Sequence, residues 1–223
     1  MWGADGLAFV KHLKTSEGKT FLQWDFYNND GSHAEMCGNA ARCVVVYCAD
    51  YYKSKICSLK TVIGDVAGEL SKNGSAVTWK LKNTQPDLKT ISLKTGKKID
   101  GYFIDTGVPH FVVPDEPSGS FSSEICLSIQ EHEFFSPRQT NVTLLSRQNS
   151  GPHLTRSFER GVKNFTLACG TGVIASALTL KVLNGGNQHS LQAPGGLLNV
   201  QIQSENKVEL EGPAKISFKG SYL

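Results

Sequence analysis

The sequence predicts a fold that mixes helices and strands, of class α/β (α+β), in two similar lobes. Two Cys-Gly turns, at Cys37-Gly38 and Cys169-Gly170, each begin a run of small residues typical of a helix. Each turn follows a strand-like segment and is itself followed by short alternating segments, so the same plan occurs twice along the chain. Two β-rich lobes with facing helix starts would enclose a cleft, a common place for a small-molecule site.

The first half of the chain supplies a strand, a turn, a helix and three further strands. Asp30-Gly31 is a strong turn signal, and a helix is predicted from Cys37 to about Lys53. The predicted strands cover Phe21 to Tyr27, Ile56 to Val62, Val66 to Leu70 and Ala76 to Leu81. Proline and polar residues at 83–87 then interrupt the series, which places the lobe boundary between residues 83 and 84.

The second half repeats the pattern. Its helix is predicted from Cys169 to about Leu183 and ends at Asn184-Gly185-Gly186. Predicted strands cover Ile99 to Asp105, His110 to Val113, Asn141 to Leu145, Pro152 to Glu159, and short segments between Ser190 and Phe218. The predicted second lobe spans residues 84–211.

Composition argues against a nucleic-acid-binding, membrane-spanning or metal-binding protein. The chain has 223 residues, a net charge of +3 and dispersed basic residues, so no nucleic-acid surface is predicted. No apolar stretch approaches the roughly 20 residues of a membrane span, and no signal peptide is visible at the N-terminus. Six cysteines without zinc-site spacing indicate reduced thiols in the cytoplasm and no metal.

The two cysteines at predicted helix starts indicate acid–base chemistry at carbon. Backbone N–H groups and the positive end of the helix dipole favour a thiolate there. Two such cysteines, 132 residues apart, suggest one thiolate that removes an α-proton and one thiol that returns a proton to the opposite face. The N–H groups of Gly38, Asn39, Gly170 and Thr171 are candidates to bind the substrate carboxylate. A single cysteine of this kind would more often be a core residue; the matched pair favours catalysis.

Other candidates are weaker when taken alone. Glu159 and Arg160 could meet the ammonium and carboxylate of an amino acid, or form an ordinary surface ion pair. Asn28 could be a turn residue, Asn141 a strand-edge residue and His110 a hydrogen-bonded strand histidine.

Taken together, the motifs resemble the diaminopimelate epimerase family over nearly the whole chain. The motifs that carry the resemblance are Gly3-Ala4-Asp5-Gly6-Leu7, Asn28 to Cys43, Gly107-x-Pro109-His110, Thr140-Asn141-Val142, Glu159-Arg160-Gly161-Val162, Thr166 to Gly172 and Gly212-Pro213-Ala214. The resemblance implies two similar lobes, each a curled sheet around a central helix, with the tail 212–223 returning to the first lobe. It also implies a cofactor-independent isomerase that acts as a homodimer on a small-molecule amino-acid substrate, interconverting LL- and meso-diaminopimelate in lysine and peptidoglycan precursor synthesis.

The resemblance also implies roles for single residues. Cys37 and Cys169 are the acid–base pair, and Gly38, Asn39, Gly170 and Thr171 bind the α-carboxylate. Glu159 and the Arg160 backbone hold the reacting ammonium. Asn28, Asn141 and the Arg160 side chain recognise the distal amino-acid end, and His110 is a further candidate.

Three departures from the family pattern leave alternatives open. The family's opening strand and His-Gly-x-Gly-Asn-Asp-Phe loop are not found upstream of residue 3, Val108 replaces an asparagine, and Ala40 replaces a glycine. The missing strand affects the first sheet, and the missing loop and Val108 affect recognition of the distal end of the substrate. They favour, as alternatives, an amino-acid racemase with another substrate, such as histidine, or a catalytically silent homologue that binds a ligand or partner.

Overall fold

A computed structural model describes residues 6–28, 31–72, 74–82, 85–115, 121–204 and 206–221. The first half of the chain contains β1 (Gly6–Ser16), β2 (Lys19–Asn28), α1 (Gly38–Tyr51), β3 (Ile56–Thr61), β4 (Gly64–Ser71) and β5 (Gly74–Lys80). The second half contains β6 (Asp87–Ser92), β7 (Lys98–Asp105), β8 (Pro109–Pro114), α2 (Ser123–Gln130), β9 (Asn141–Ser146), β10 (His153–Glu159), β11 (Asn164–Phe165), α3 (Gly170–Asn184), β12 (Gln188–Ala193), β13 (Gly196–Ser204) and β14 (Lys207–Gly212). The fold is therefore mixed α and β, as predicted.

The chain divides into two compact units. Unit 1 comprises residues 1–79 and 209–223, and unit 2 comprises residues 80–208. Residues 83 and 84, where the sequence places the lobe boundary, lie outside the described residues, as do Gly3, Ala4, Asp5 and the Asp30 turn position.

Unit 1 is a sheet in the order β1-β2-β3-β4-β5-β14, with α1 packed on β3 and β4. Strands β2 and β3 are parallel, whereas β1–β2, β3–β4 and β4–β5 are antiparallel pairs. Gly68 lets the helix approach the sheet, because a Cβ on it would lie 2.4 Å from the Cγ2 atom of Val45. The close packing fixes the position of α1, and with it the position of Cys37.

The strands of unit 2 lie in the order β6-β7-β8-β9-β10-β12-β13, around α3. Every residue of α3 from Gly170 to Leu180 is buried, which suits a helix that is apolar on all sides. On α2, Cys126 and Ile129 belong to a core that also contains Phe111 and Phe158. Strand pairs β8–β9 and β10–β12 are parallel, and their order brings β8, β9 and β10 side by side against α3.

Several elements differ from the sequence prediction. The strand β1, the strand β6 and the helix α2 were not predicted, and both long helices begin one residue after the predicted cysteine, which is the N-cap in each. In the described part of the chain the longest helix, α3, has 15 residues, and no helix there could cross a bilayer.

Candidate active site

Cys37 is the N-cap of α1, and its sulfur acts as the capping acceptor. Its backbone is extended (φ −137°, ψ 108°), and its Sγ atom accepts a hydrogen bond from the Ala40 N–H at 3.5 Å. Serine, threonine and aspartate oxygens usually fill this role. An N–H donor and the positive helix end both favour negative charge on this sulfur, so the geometry suits a thiolate.

The residues of α1 that follow Cys37 contact a buried arginine, Arg42. The Oδ1 atom of Asn39 accepts a hydrogen bond from Nη2 of Arg42 at 2.9 Å, and Nη1 of Arg42 lies 3.3 Å from the Gly38 carbonyl oxygen. Arg42 was not among the sequence-predicted site residues, although its guanidinium contacts two of them.

Asn28, the other site residue predicted in unit 1, lies at the end of β2. Its Nδ2 atom donates to Ser32 Oγ at 2.9 Å, and its carbonyl accepts from the Gly31 N–H at 3.0 Å. These bonds are those of a residue that organises a turn, and the predicted role in distal recognition stays a prediction.

Cys169 is the N-cap of α3 but has a different environment. It is buried and extended (φ −117°, ψ 107°), and its sulfur makes no capping hydrogen bond to the helix backbone. Its Sγ atom instead lies 3.4 Å from the hydroxyl oxygen of Thr171. The two cysteines therefore share a helix position but differ in the group that meets the sulfur.

The Thr171 hydroxyl continues into a buried network around His110. Its oxygen lies 3.0 Å from Nε2 of His110, and Nδ1 of the same ring lies 2.9 Å from Thr143 Oγ1. Thr143 Oγ1 in turn lies 2.9 Å from Ser157 Oγ. Three strands, β8, β9 and β10, and the first turn of α3 thus meet at one histidine.

Asn141 fixes the tautomer of that histidine. Its Oδ1 atom accepts from the Arg160 backbone N–H at 2.9 Å, so its NH₂ group faces His110 Nε2 at 3.4 Å. Nε2 is therefore an acceptor, and the ring proton lies on Nδ1 and is donated to Thr143. Since Thr171 then donates to Nε2, its oxygen is left to accept from the Cys169 thiol, and the network suits Cys169 in its protonated form.

His110 remains neutral over the ordinary pH range. Complete burial lowers the pKa of His110 to about 3, and the positive charge of Arg160 acts in the same direction. A neutral imidazole can hold neighbouring hydroxyl groups in place without adding a charge beside Cys169.

Glu159 and Arg160 lie at the end of β10. An Oε1 atom of Glu159 accepts from the Thr166 hydroxyl at 2.5 Å, and the Arg160 guanidinium donates to the Arg138 carbonyl. The turn is closed by a bond of 2.7 Å from the Lys163 N–H to the Glu159 carbonyl. Thr166 therefore orients one oxygen of the Glu159 carboxylate, and Asn141 holds the backbone N–H of Arg160.

Within unit 2 the structure thus brings five of the predicted residues into one hydrogen-bonded cluster: Cys169, Thr171, His110, Asn141 and Arg160. Sequence reasoning missed Thr143, Ser157 and Thr166, which join or extend this cluster. A usable signal was present at Thr143, a hydroxyl residue between Val142 and Leu144 on β9, whereas Ser157 lies in the mostly polar segment of β10. Their polar groups need partners there.

Comparison with known proteins gives the family. The diaminopimelate epimerase family model matches residues 1–85 and 102–217. The chain is 34% identical over 228 residues to the diaminopimelate epimerase of Hydrogenobaculum sp. (strain Y04AAS1), an alignment that covers 98% of this chain and 80% of that protein. It is 39% identical over 180 residues to the enzyme of the same name from Aquifex aeolicus, covering 79% of this chain and 63% of that protein.

Solved structures support the same fold at low sequence identity. A phenazine biosynthesis protein of the PhzF family from Enterococcus faecalis matches with a TM-score of 0.71 and 18% identity, over 98% of this chain and 83% of that one. A hydroxyproline epimerase from Agrobacterium vitis matches with a TM-score of 0.61 and 15% identity, over 85% and 67%. With both family motifs in place at the starts of α1 and α3, and relatives matched along nearly its whole length, the chain belongs to the diaminopimelate epimerase family of isomerases.

Proposed function

We propose that the protein interconverts LL- and meso-2,6-diaminopimelate by thiol and thiolate proton transfer at the α-carbon. The observation that carries the proposal is the matched pair of N-cap cysteines, one at each long helix of a chain that belongs to this family. The different surroundings of the two sulfurs suit one thiolate and one thiol.

The proton transfers balance without a net change in the enzyme's charge. The Cys37 thiolate takes the α-proton and becomes a thiol, while the Cys169 thiol donates its proton to the opposite face and becomes a thiolate. The reverse reaction restores the first state. The intermediate carries negative charge that delocalises into the α-carboxylate, where N–H groups of Gly38, Asn39, Gly170 and Thr171 would stabilise it.

The remaining predicted residues supply recognition in this proposal. The Glu159 carboxylate and the Arg160 backbone would hold the reacting ammonium, and Asn28, Asn141 and the Arg160 side chain would bind the distal end. Asn141 Oδ1 already accepts from the Arg160 N–H, which supports a role for Asn141 in fixing the position of that backbone.

Proton NMR in deuterated water tests the proposal. Reduced protein with LL-diaminopimelate should incorporate deuterium at the α-position and accumulate the meso isomer. Cys37→Ala and Cys169→Ala should each abolish this turnover, whereas Cys43→Ala, which removes an exposed thiol from the same helix as Cys37, should retain it. Full turnover by either of the first two variants would refute the two-base mechanism, and no exchange by the unaltered protein would refute the substrate or the activity.

A second candidate is a racemase for another amino acid. Val108 favours it, because the family asparagine at this position would bind the distal end and valine has no amide. A panel of amino acids under the same NMR conditions, histidine included, separates the two candidates. Exchange with one of these amino acids and none with diaminopimelate would favour the second, while exchange with none of them would favour a silent, ligand-binding homologue.

We further propose that the protein acts as a homodimer in the cytoplasm, in lysine and peptidoglycan precursor synthesis. Family membership supports the pathway. The edge strand β1 supports self-association, since it exposes Leu7, Phe9 and Leu13. Sedimentation equilibrium measures the mass, and a monomer at micromolar concentration would contradict the dimer.

A further inference from the structure

The second turn of α1 carries a buried cation close to Cys37. Arg42 is only 5% exposed, and its guanidinium donates to the Gly38 carbonyl at 3.3 Å and to Asn39 Oδ1 at 2.9 Å. Both acceptors belong to the two residues that directly follow Cys37. We infer that Arg42 is a positioning residue for the Cys37 half of the site, which sets the orientation of the Asn39 carboxamide and favours a thiolate on Cys37. The inference rests on the proposed function.

Helix geometry explains how a residue five positions after Cys37 reaches the helix start. Side chains on an α-helix tilt toward its N-terminus and cover the residues three and four positions earlier. For Arg42 these residues are Asn39 and Gly38. The backbone of Arg42 is held as well, because its carbonyl accepts from the hydroxyl of Ser75, a fully buried residue of β5, at 3.0 Å.

The contact to Arg42 decides which end of the Asn39 amide can bind an anion. A guanidinium only donates hydrogen bonds, so the atom 2.9 Å from Nη2 must be the amide oxygen. The other polar end of the carboxamide is then the NH₂ group, a donor. A donor at this position, beside the N–H groups of the helix start, is what recognition of a substrate carboxylate requires.

The burial of this cation is not accounted for by stability alone. Taking a guanidinium out of water is unfavourable unless its donors are paired, and the Nε atom of Arg42 is buried with no hydrogen-bond partner among the described residues. Burial lowers the pKa of Arg42, while negative charge on Cys43 and on Cys37 raises it. Such coupling is reciprocal, so the guanidinium, held at the two residues that follow Cys37, also favours a thiolate on Cys37.

Two variants separate the charge of Arg42 from its hydrogen bonds. Arg42→Met removes both, whereas Arg42→Lys keeps the positive charge but loses the paired donors that hold Asn39. Asn39→Ala removes the acceptor and leaves the arginine in place. Arg156→Met is the control, because Arg156 lies in unit 2 over the Phe165 ring and its loss changes the net charge by the same amount.

The first readout is the rate at which iodoacetamide alkylates Cys37 as a function of pH, with the label located by peptide mass spectrometry. We expect Arg42→Met to lower the rate at pH 7 about tenfold and to move the rise of the profile about one pH unit higher. Arg42→Lys should keep a profile close to that of the unaltered protein, and Arg156→Met should not change it. An unchanged profile in folded Arg42→Met would overturn the electrostatic part of the inference.

The second readout is the kinetic effect on the proposed substrate. Arg42→Lys and Asn39→Ala should both raise KM for LL-diaminopimelate by about tenfold, the loss expected for one charge-assisted hydrogen bond to a carboxylate. If Arg42→Met does not fold, as judged by circular dichroism, the comparison of these two variants still tests positioning. Unchanged KM values in both would overturn it.

The two readouts also distinguish this inference from the proposed function. Alkylation requires no turnover, so a shifted Cys37 profile would support the role of Arg42 even if diaminopimelate is not the substrate. An active epimerase with unchanged profiles and KM values would overturn the inference alone.

Discussion

Gly172, in the first turn of α3, is the position where one added methyl group should damage the site most directly. A Cβ at this glycine would lie 2.2 Å from Ser157 Oγ and 3.1 Å from both Thr143 Oγ1 and His110 Cε1. The serine oxygen must therefore move by at least 0.8 Å to bring the closest contact to 3.0 Å. That movement strains or breaks the hydrogen bond of 2.9 Å between Ser157 and Thr143, which supports the ring of His110.

Three contributions, one stabilising and two destabilising, set the change in the free energy of unfolding of Gly172→Ala. Replacing glycine with alanine in a helix stabilises by at most about 1 kcal/mol. Overpacking a buried site costs about 1–3 kcal/mol, and a lost hydrogen bond between buried hydroxyl groups costs about 1–3 kcal/mol more. We therefore expect Gly172→Ala to be destabilised by about 3 kcal/mol.

Urea denaturation followed by circular dichroism measures this difference. Gly161→Ala is the matched control, since nothing lies within 4 Å of a Cβ at Gly161, and its stability should change by less than about 1 kcal/mol. Ser157→Ala removes the oxygen that the new methyl group meets, so in the double variant the effect of Gly172→Ala should shrink by about 1 kcal/mol or more. A Gly172→Ala protein as stable as the unaltered one, or more stable, would refute the packing argument.

Two further predictions concern groups that burial holds neutral. Because the pKa of His110 is about 3 in the folded protein and near 6.5 in the unfolded chain, protonation favours unfolding, and stability should fall by up to about 1.4 kcal/mol per pH unit as the pH drops from about 6.5 toward 3. Urea titrations at pH 7 and pH 5 should show a smaller fall in His110→Gln, and equal falls would argue against a buried neutral imidazole. Burial also raises the pKa of Cys57 to about 12 and that of Cys48 above its usual value, so native protein should react with maleimide at exposed Cys43 and not at these two residues until it unfolds. Mass spectrometry of the labelled peptides measures this order, and labelling of Cys57 at the rate of Cys43 would contradict it.

The two long helices could be predicted because each has a local signal at its start, and α3 also has one at its end. The predicted ranges, Cys37 to Lys53 and Cys169 to Leu183, lie close to the observed Gly38–Tyr51 and Gly170–Asn184. A cysteine-glycine start and a run of small or apolar residues suffice to specify such a helix without knowledge of its neighbours.

The elements that were missed lack a comparable signal. Most side chains of β1 are exposed, so its sequence does not alternate as a half-buried strand would, and its pairing with β2 depends on residues up to 22 positions away in the sequence. The helix α2 has only eight residues, too few for periodicity to distinguish it from a loop, although Ser122 caps it.

For the candidate site, the sequence pointed to the two N-cap cysteines, whose catalytic role stays a prediction, and not to the hydroxyl groups around His110. A cysteine followed by glycine at a predicted helix start is a signal contained in a few neighbouring residues. Thr143 and Ser157 acquire their role only because strand order brings β9 and β10 next to His110, and that order is a long-range property of the fold. The role of Arg42 was not predicted for a different reason, since an arginine on a helix is ordinarily interpreted as solvent-exposed.

The position of β14 in the sequence has a consequence for how the chain folds during synthesis. The strand Lys207–Gly212 pairs with β5, and Thr78 on β5 donates to a carboxylate oxygen of Glu209 at 3.3 Å. A ribosome must therefore translate the whole of unit 2 before the last strand of unit 1 exists. Until then β5 presents an open edge, available for incorrect pairing with another chain. Unit 1 is thus completed only after unit 2 has been synthesised, although most of its residues are translated before those of unit 2.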